Sequence, residues 1–241
     1  MNGFKRLAEM VWGLYVLVCF AIACIFSLFV AILVPGPERR HRLVTWASKM
    51  IFVLGRVSVT IRGIDNLPSD SCVVVANHAS YIDGVLLKAY LPSRFGFVIK
   101  GEMRAIPIVS FLLRRSGAKF VDRNEGAKSS TDARQLVRAA QGGESLGFFP
   151  EGTFWREPGI RHFRAGAFLV ALKGSLPTVP IAISGTRQML PSGNWIPRRA
   201  HLLVDILPVI APGDDGFTNS RQLAETVRQK IIVATGEPGI D

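Results

Sequence analysis

Cysteine is scarce. The 241 residues contain three, Cys19, Cys24 and Cys72, in no spacing that suits a metal site or a disulfide framework. Two of them lie inside an apolar stretch, where a thiol behaves as a small hydrophobe. The third begins an apolar run, and none has the setting of a nucleophile, which argues against a cysteine acyl-enzyme. Internal repeats and low-complexity tracts are also missing, which argues against a solenoid or a linker-rich chain.

Charge is missing from one long segment. No Asp, Glu, Lys or Arg occurs between Met10 and Pro37, and Met10 to Val34 is nearly all apolar. As a helix, that run reaches about 37 Å, enough to cross a hydrocarbon core of about 30 Å. It is longer than the roughly 7–15 residues of a signal-peptide core, so a retained membrane element is expected. Acid is missing from the next segment: residues 39–62 hold six Lys/Arg and no Asp or Glu. A basic cluster beside an apolar anchor suits anionic lipid headgroups and marks a cytoplasmic-side flank. The net charge of +11 and pI of about 10.2 would otherwise suggest nucleic acid. Much of that basic charge lies beside the anchor, so nucleic acid is not the expected partner.

What is present divides the chain at about residue 56. Within residues 1–56, Pro35-Gly36-Pro37 breaks the apolar helix from a second one. In that second helix Leu43, Trp46, Ala47, Met50, Ile51 and Leu54 recur at helical spacing. It fits an amphipathic helix lying at a membrane interface or packed on the following domain. The pair forms either a hairpin within one leaflet or a span plus a surface helix.

Residues 57–241 alternate strand and helix. Expected strands are 57–61, 72–76, 95–99, 118–121, 146–149, 178–183 and 201–206. Expected helices are 81–90, 104–115, 128–141, 165–173 and 220–235. Such alternation predicts an α/β fold, a mixed sheet flanked by helices and preceded by the N-terminal membrane-associated helix pair.

The block with most chemistry is Asn77-His78-Ala79-Ser80-Tyr81-Ile82-Asp83, directly after the apolar run Cys72–Ala76. A carboxylate five residues from a histidine can hold the imidazole in one tautomer and stabilise its cation, leaving the second ring nitrogen to take a proton from a hydroxyl. The end of a strand in an open α/β sheet is where such sites form. Asp83 also has a structural role open to it. Ser80-Tyr81-Ile82-Asp83 fits a capping box with Ser80 as N-cap and Asp83 at the third helical position.

Three further blocks accompany it. Phe149-Pro150-Glu151-Gly152-Thr153 ends a strand with a carboxylate, a glycine that lets backbone approach a ligand, and a hydroxyl. Downstream, Arg164 stands just before a helix, a natural phosphate setting. Between Lys100 and Arg123 lie Lys100-Gly101-Glu102-Met103, Pro107 and Gly117-Ala118-Lys119-Phe120-Val121-Asp122-Arg123. There Arg123 either pairs with Asp122 at the surface or faces an anion. Val179-Pro180-Ile181 fits a buried strand.

The order of these blocks resembles that of the glycerolipid acyltransferases, over about residues 57–210. The N-terminal helix pair is similar to that family's membrane element. The resemblance implies acyl transfer from acyl-CoA or acyl carrier protein to a lysophospholipid hydroxyl, as in a 1-acylglycerol-3-phosphate acyltransferase. It implies His78 as base and Asp83 as its partner. By the same match Asn77, Lys100 and Arg123 serve the acceptor or its phosphate, and Glu151, Gly152 and Thr153 position the acceptor. A thioester donor is already activated, so neither metal nor cofactor is expected. The implied location is the inner (cytoplasmic) membrane, with the catalytic domain on the cytoplasmic side.

The chain departs from the family pattern in two places. Phe154-Trp155 stands where Arg-Ser usually follows Glu-Gly-Thr, with an arginine only at Arg156, and Ser110 stands where a glycine is common. These departures leave three arrangements open. Arg123 binds the phosphate, or Arg156 or Arg164 binds it, or the acceptor is another lyso-lipid such as lyso-ornithine lipid. A non-catalytic membrane lipid-binding protein is the reading from another class. Chain-length preference and oligomeric state are left open.

Overall fold

Alternation along a short apolar run builds the centre of the molecule. The computed structural model describes residues 3–122 and 127–240. Its strands are β1 (Ser58–Arg62), β2 (Val73–Ala76), β3 (Gly96–Lys100), β4 (Lys119–Val121), β5 (Leu146–Phe148), β6 (Thr178–Ser184) and β7 (His201–Ile206). Its helices are α1 (Gly3–Leu33), α2 (Pro37–Leu54), α3 (Asp83–Tyr90), α4 (Pro107–Arg115), α5 (Ala127–Gln141), α6 (Gly166–Gly174), α7 (Thr186–Met189) and α8 (Ser220–Thr235). In β2, Val74 and Ala76 join a core with Trp12 of α1, Ile51 of α2 and Leu86 of α3. Val73 and Val75 join a second core with Leu136 of α5, Phe168 of α6 and Val227 of α8. Helices cover both faces, so β2 reads as an unbroken apolar run rather than an alternating one.

The sheet order is β1-β7-β6-β2-β5-β3-β4. Strands β6, β2, β5, β3 and β4 are parallel; β7 runs antiparallel to β6, and β1 parallel to β7. The mixed, helix-flanked sheet agrees with the sequence expectation. Strand β2 lies between β6 and β5, so the carboxyl ends of β2 and β5 open side by side on one rim.

Helix α1 has 31 residues and a mean hydropathy of 3.1 over its most apolar window, long and apolar enough to cross a membrane. One stripe, Trp12, Val16, Cys19, Ala23 and Val30, is buried. Trp12 Nε1 donates to Gly55 O (3.0 Å), and Arg115 Nε donates to Ala31 O (2.8 Å). The opposite stripe, including Leu14, Val18, Ile22, Ile25 and Phe29, is exposed. Trp46 and Val53 of α2 and Ile108 and Phe111 of α4 are exposed as well. Apolar exposure on that scale marks a membrane-facing surface. In α2 the buried stripe is Val44, Ala47, Ile51 and Phe52, so this helix is packed between α1 and α3. Trp46 and Leu54, expected on its apolar face, point outward.

Helix α4 begins three residues later than the sequence suggests, and α3 two. The expectation of helix from residue 104 is replaced by a 3₁₀ turn at Gly101–Ala105, and α4 starts at Pro107. A residue before proline is pushed away from the helical region, and Ile106 is extended at φ −102, ψ 99.

Lysine 88 is carried by α3 into the junction with α4, where its Nζ donates to Ser116 O (3.3 Å). Burial pulls its pKa from 10.5 down to about 8. A lowered folded pKa means the fold disfavours the ammonium. That penalty is full below pH 8 and fades as pH rises to 10.5, where unfolded lysine also loses its proton. At 1.36 kcal/mol per unit it approaches about 3 kcal/mol. Lys88→Met is therefore expected to raise the thermal midpoint at pH 7, with the gain shrinking through pH 8 to 10. An unchanged or lower midpoint at pH 7 would contradict this.

Candidate active site

Register decides which residues meet. Strands β2 and β5 pair with Val75 opposite Phe148, so three residues further on His78 lies level with Glu151. The His78 N–H donates to Glu151 Oε1 (2.7 Å), and Glu151 Oε2 accepts from the Arg161 N–H (3.0 Å). Glu151 is 8% exposed. Burial pushes its carboxyl up, while the two N–H donors and the nearby His78 and Arg187 side chains pull it back. Glu151 thus ties the segment after β2 to the loop after β5.

The histidine and the aspartate meet as their spacing implies. His78 Nδ1 lies 2.8 Å from Asp83 Oδ2. Asp83 is fully buried, and the imidazole keeps 19% of its side-chain surface. The same Asp83 oxygen accepts from the N–H groups of Ala79 (2.6 Å) and Ser80 (2.8 Å). The bond from Ser80 is one half of the expected capping box. The other half is not formed as expected: Ile82, not Ser80, caps α3, and the Ser80 hydroxyl donates to Leu190 O (2.6 Å). The carboxylate therefore orders the turn and the imidazole together.

Two rings wall the imidazole. Phe149 stacks on it with centroids 4.4 Å apart, and Phe154 meets it edge-on at 4.6 Å. Tyr81 packs on Phe154 (4.6 Å), and Trp195 stacks on Tyr81 (5.7 Å). Phe154 occupies the position where the family pattern has arginine, so His78 here has an apolar neighbour there.

The other sequence-nominated residues are placed in different ways. Gly152 is buried with φ +81, a conformation that favours glycine and turns the chain away from Glu151. Lys100 ends β3, and Thr153, Arg156 and Arg164 lie on the loops after β5; all four are exposed. The β3–β5 register of Phe97 with Gly147 sets Lys100 level with Pro150 on the same rim. Asn77, expected at the acceptor, is 1% exposed and joins β2 to β6. Its amide donates to Ile183 O (2.9 Å) and accepts from Ile183 N (2.7 Å). Arg123 lies outside the described residues.

The sequence reading missed one ion network. Arg104 binds Asp122 Oδ2 (3.0 Å), both oxygens of Asp132 (3.0 Å each) and Phe120 O (3.0 Å). Asp122, considered as a partner for Arg123, is bound by Arg104. Nothing in the local sequence joins positions 104, 122 and 132. Among the described residues, no three His, Cys, Asp or Glu side chains converge as a metal site does.

A family model described as Acyltransferase matches residues 58–184. A chloroplastic 1-acyl-sn-glycerol-3-phosphate acyltransferase of Arabidopsis thaliana is 31% identical over 170 residues, 69% of this chain and 47% of that protein. A lyso-ornithine lipid O-acyltransferase of Pseudomonas aeruginosa is 31% identical over 155 residues, 64% of this chain and 58% of that one. The chain thus spans about half the length of these relatives. The crystal structure of the 1-acyl-sn-glycerophosphate acyltransferase from Thermotoga maritima shares the fold. Its TM-score is 0.79 at 22% identity, with 95% of each chain covered.

Proposed function

The chain belongs to the acyltransferase family, and from that premise we propose that it acylates the free hydroxyl of a 1-acylglycerol-3-phosphate. The product is phosphatidic acid, and the donor is acyl-CoA or acyl carrier protein. The observation that carries this reading is the 2.8 Å contact between His78 Nδ1 and the fully buried Asp83. With Nδ1–H donated to the carboxylate, Nε2 keeps its lone pair for the acceptor. As Nε2 takes the hydroxyl proton, the acceptor oxygen attacks the thioester carbonyl. The carbon–sulfur bond breaks, and the proton passes from the imidazolium to the leaving thiolate. No covalent enzyme intermediate and no cofactor are required. Holding both substrates at one rim supplies much of the remaining acceleration.

In this reading Glu151 fixes the His78 backbone. Lys100, Thr153, Arg156, Arg164 and Arg123 serve the acceptor headgroup. The site stands beside a bilayer in this reading, on the cytoplasmic side of the inner membrane; the exposed apolar stripe of α1 supports the bilayer contact. Phe154 favours a second reading, a lyso-ornithine lipid acceptor, because an apolar ring at that position does not bind phosphate. Thiol release from acyl-CoA by purified protein tests both. Release that depends on lysophosphatidic acid is expected. Release with lyso-ornithine lipid alone would move the acceptor to the second reading, and no release with any lyso-lipid would end the proposal.

A further inference from the structure

The stretch from Gly152 to Ala165 contains no helix or strand, yet it carries Thr153, Phe154 and Arg156. Its outer side is held by groups distant in sequence. Arg187, on α7, donates Nη1 to the carbonyls of Trp155 (2.6 Å) and Glu157 (2.8 Å). Its Nη2 donates to Glu237 Oε2 (2.8 Å), and that same oxygen accepts from the Gly159 N–H (2.8 Å). The tail after α8 continues the contact. Ile160 N donates to Pro238 O (2.9 Å), and Ile240 N donates to Ile160 O (3.0 Å). From within α8, the buried Arg228 donates to Arg161 O, Ile160 O and Ile240 O, each at 3.1 Å. Gly159, at φ +134, lies so close under Ile240 that a Cβ there would collide with it.

The series does not stop at the loop. The Arg161 N–H donates to Glu151 Oε2 (3.0 Å), and Glu151 Oε1 receives the His78 N–H (2.7 Å). Charge-assisted bonds and main-chain pairing therefore run without a break from the C-terminal tail to the histidine. A guanidinium that forks onto two carbonyls and a carboxylate fixes both distance and orientation, which a lysine does not reproduce.

We propose that residues 236–240 form a strap fastened by Arg187 and Glu237. These two are positioning residues that set the loop after Glu151, and so its acceptor-facing groups, relative to His78. The kinetic consequence rests on the acyltransferase reading above. A brace that serves only stability would lower the thermal midpoint and leave the kinetic constants of the folded enzyme alone. A strap shifts the acceptor constants specifically.

The test uses the full-length protein with Glu237→Ala, Glu237→Gln, Arg187→Ala and the double variant Arg187→Ala/Glu237→Ala. Acceptor and donor KM are measured in one assay, with amide hydrogen exchange of residues 159–161. Glu237→Ala is expected to raise acceptor KM about tenfold, the size of one lost charge-assisted bond, with donor KM unchanged. Glu237→Gln keeps an acceptor oxygen for Gly159 and loses the charge facing Arg187, so it should fall between wild type and Glu237→Ala. It also serves where the alanine variant folds poorly. The double variant should be no worse than about the larger single effect, and the 159–161 amides should exchange faster in Glu237→Ala. Acceptor KM within twofold of wild type, acceptor and donor KM rising together, or unchanged exchange would overturn the strap. Absence of transfer by wild type would defeat the acyltransferase reading, and exchange alone would then decide the strap.

Discussion

Asp83→Asn is expected to cut acyl transfer by roughly 10²-fold or more while the protein stays folded, because the change removes charge and keeps shape. The carboxylate receives His78 Nδ1–H, Ala79 N–H and Ser80 N–H on one oxygen. An asparagine carbonyl placed there can accept the same three donors. Its NH₂ then replaces Oδ1, which is buried with no hydrogen-bond partner among the described residues. Burying an unsatisfied donor costs about 1–3 kcal/mol, so the thermal midpoint should fall by a few degrees. The larger effect is electrostatic. The imidazolium formed as the acceptor proton is taken up loses the buried anion beside it. A purely capping role for Asp83 predicts the lowered midpoint with turnover nearly intact. Measuring both quantities on one preparation separates the two roles, and near-normal turnover with a lowered midpoint would contradict a catalytic Asp83.

Local signals in the sequence were sufficient for most of the frame. The run Cys72–Ala76 and the alternation after it gave strands and helices whose ends mostly lie within one residue of those observed. Periodicity and chain breaks are properties of neighbouring residues. Helix α4 begins at Pro107 because proline acts on the residue before it, a local rule that the 104 start overlooked. The four-residue α7 was missed, being too short for any periodicity to register.

The candidate site was legible where its parts are close in sequence. The separation of His78 and Asp83 is a five-residue relation and is met at 2.8 Å. Glu151 was nominated, but its partner was not. That it holds the His78 N–H follows from the β2–β5 register, which no local pattern encodes. Asn77 shows the reverse case. The family match assigned it to the acceptor, whereas sheet order sets it against β6, where its amide bonds Ile183. The rings of Phe149 and Phe154 on the imidazole, the Arg104–Asp132 pair and the Arg187–Glu237 fastening all depend on loops returning from elsewhere. Their residue types are ordinary in sequence, and only the fold makes them neighbours.

The account's central claim is that the imidazole of His78 takes the acceptor's proton. The second large effect is therefore expected from His78→Ala. The ring stands between Phe149 and Phe154 with 19% of its side chain exposed, so its removal leaves a small gap at the rim rather than a hole in either core. The backbone bond from His78 N to Glu151 is unaffected by side-chain truncation. Fold and membrane attachment should thus persist. A positioned base contributes about 10²–10⁴-fold, and steady-state rates can hide that factor behind product release. The most direct measurement is single-turnover acyl transfer at saturating acyl-CoA and lysophosphatidic acid, for wild type and His78→Ala at matched thermal midpoints. The account predicts a fall of about 10²–10⁴-fold in the chemical step. A His78→Ala rate within a few-fold of wild type would contradict it.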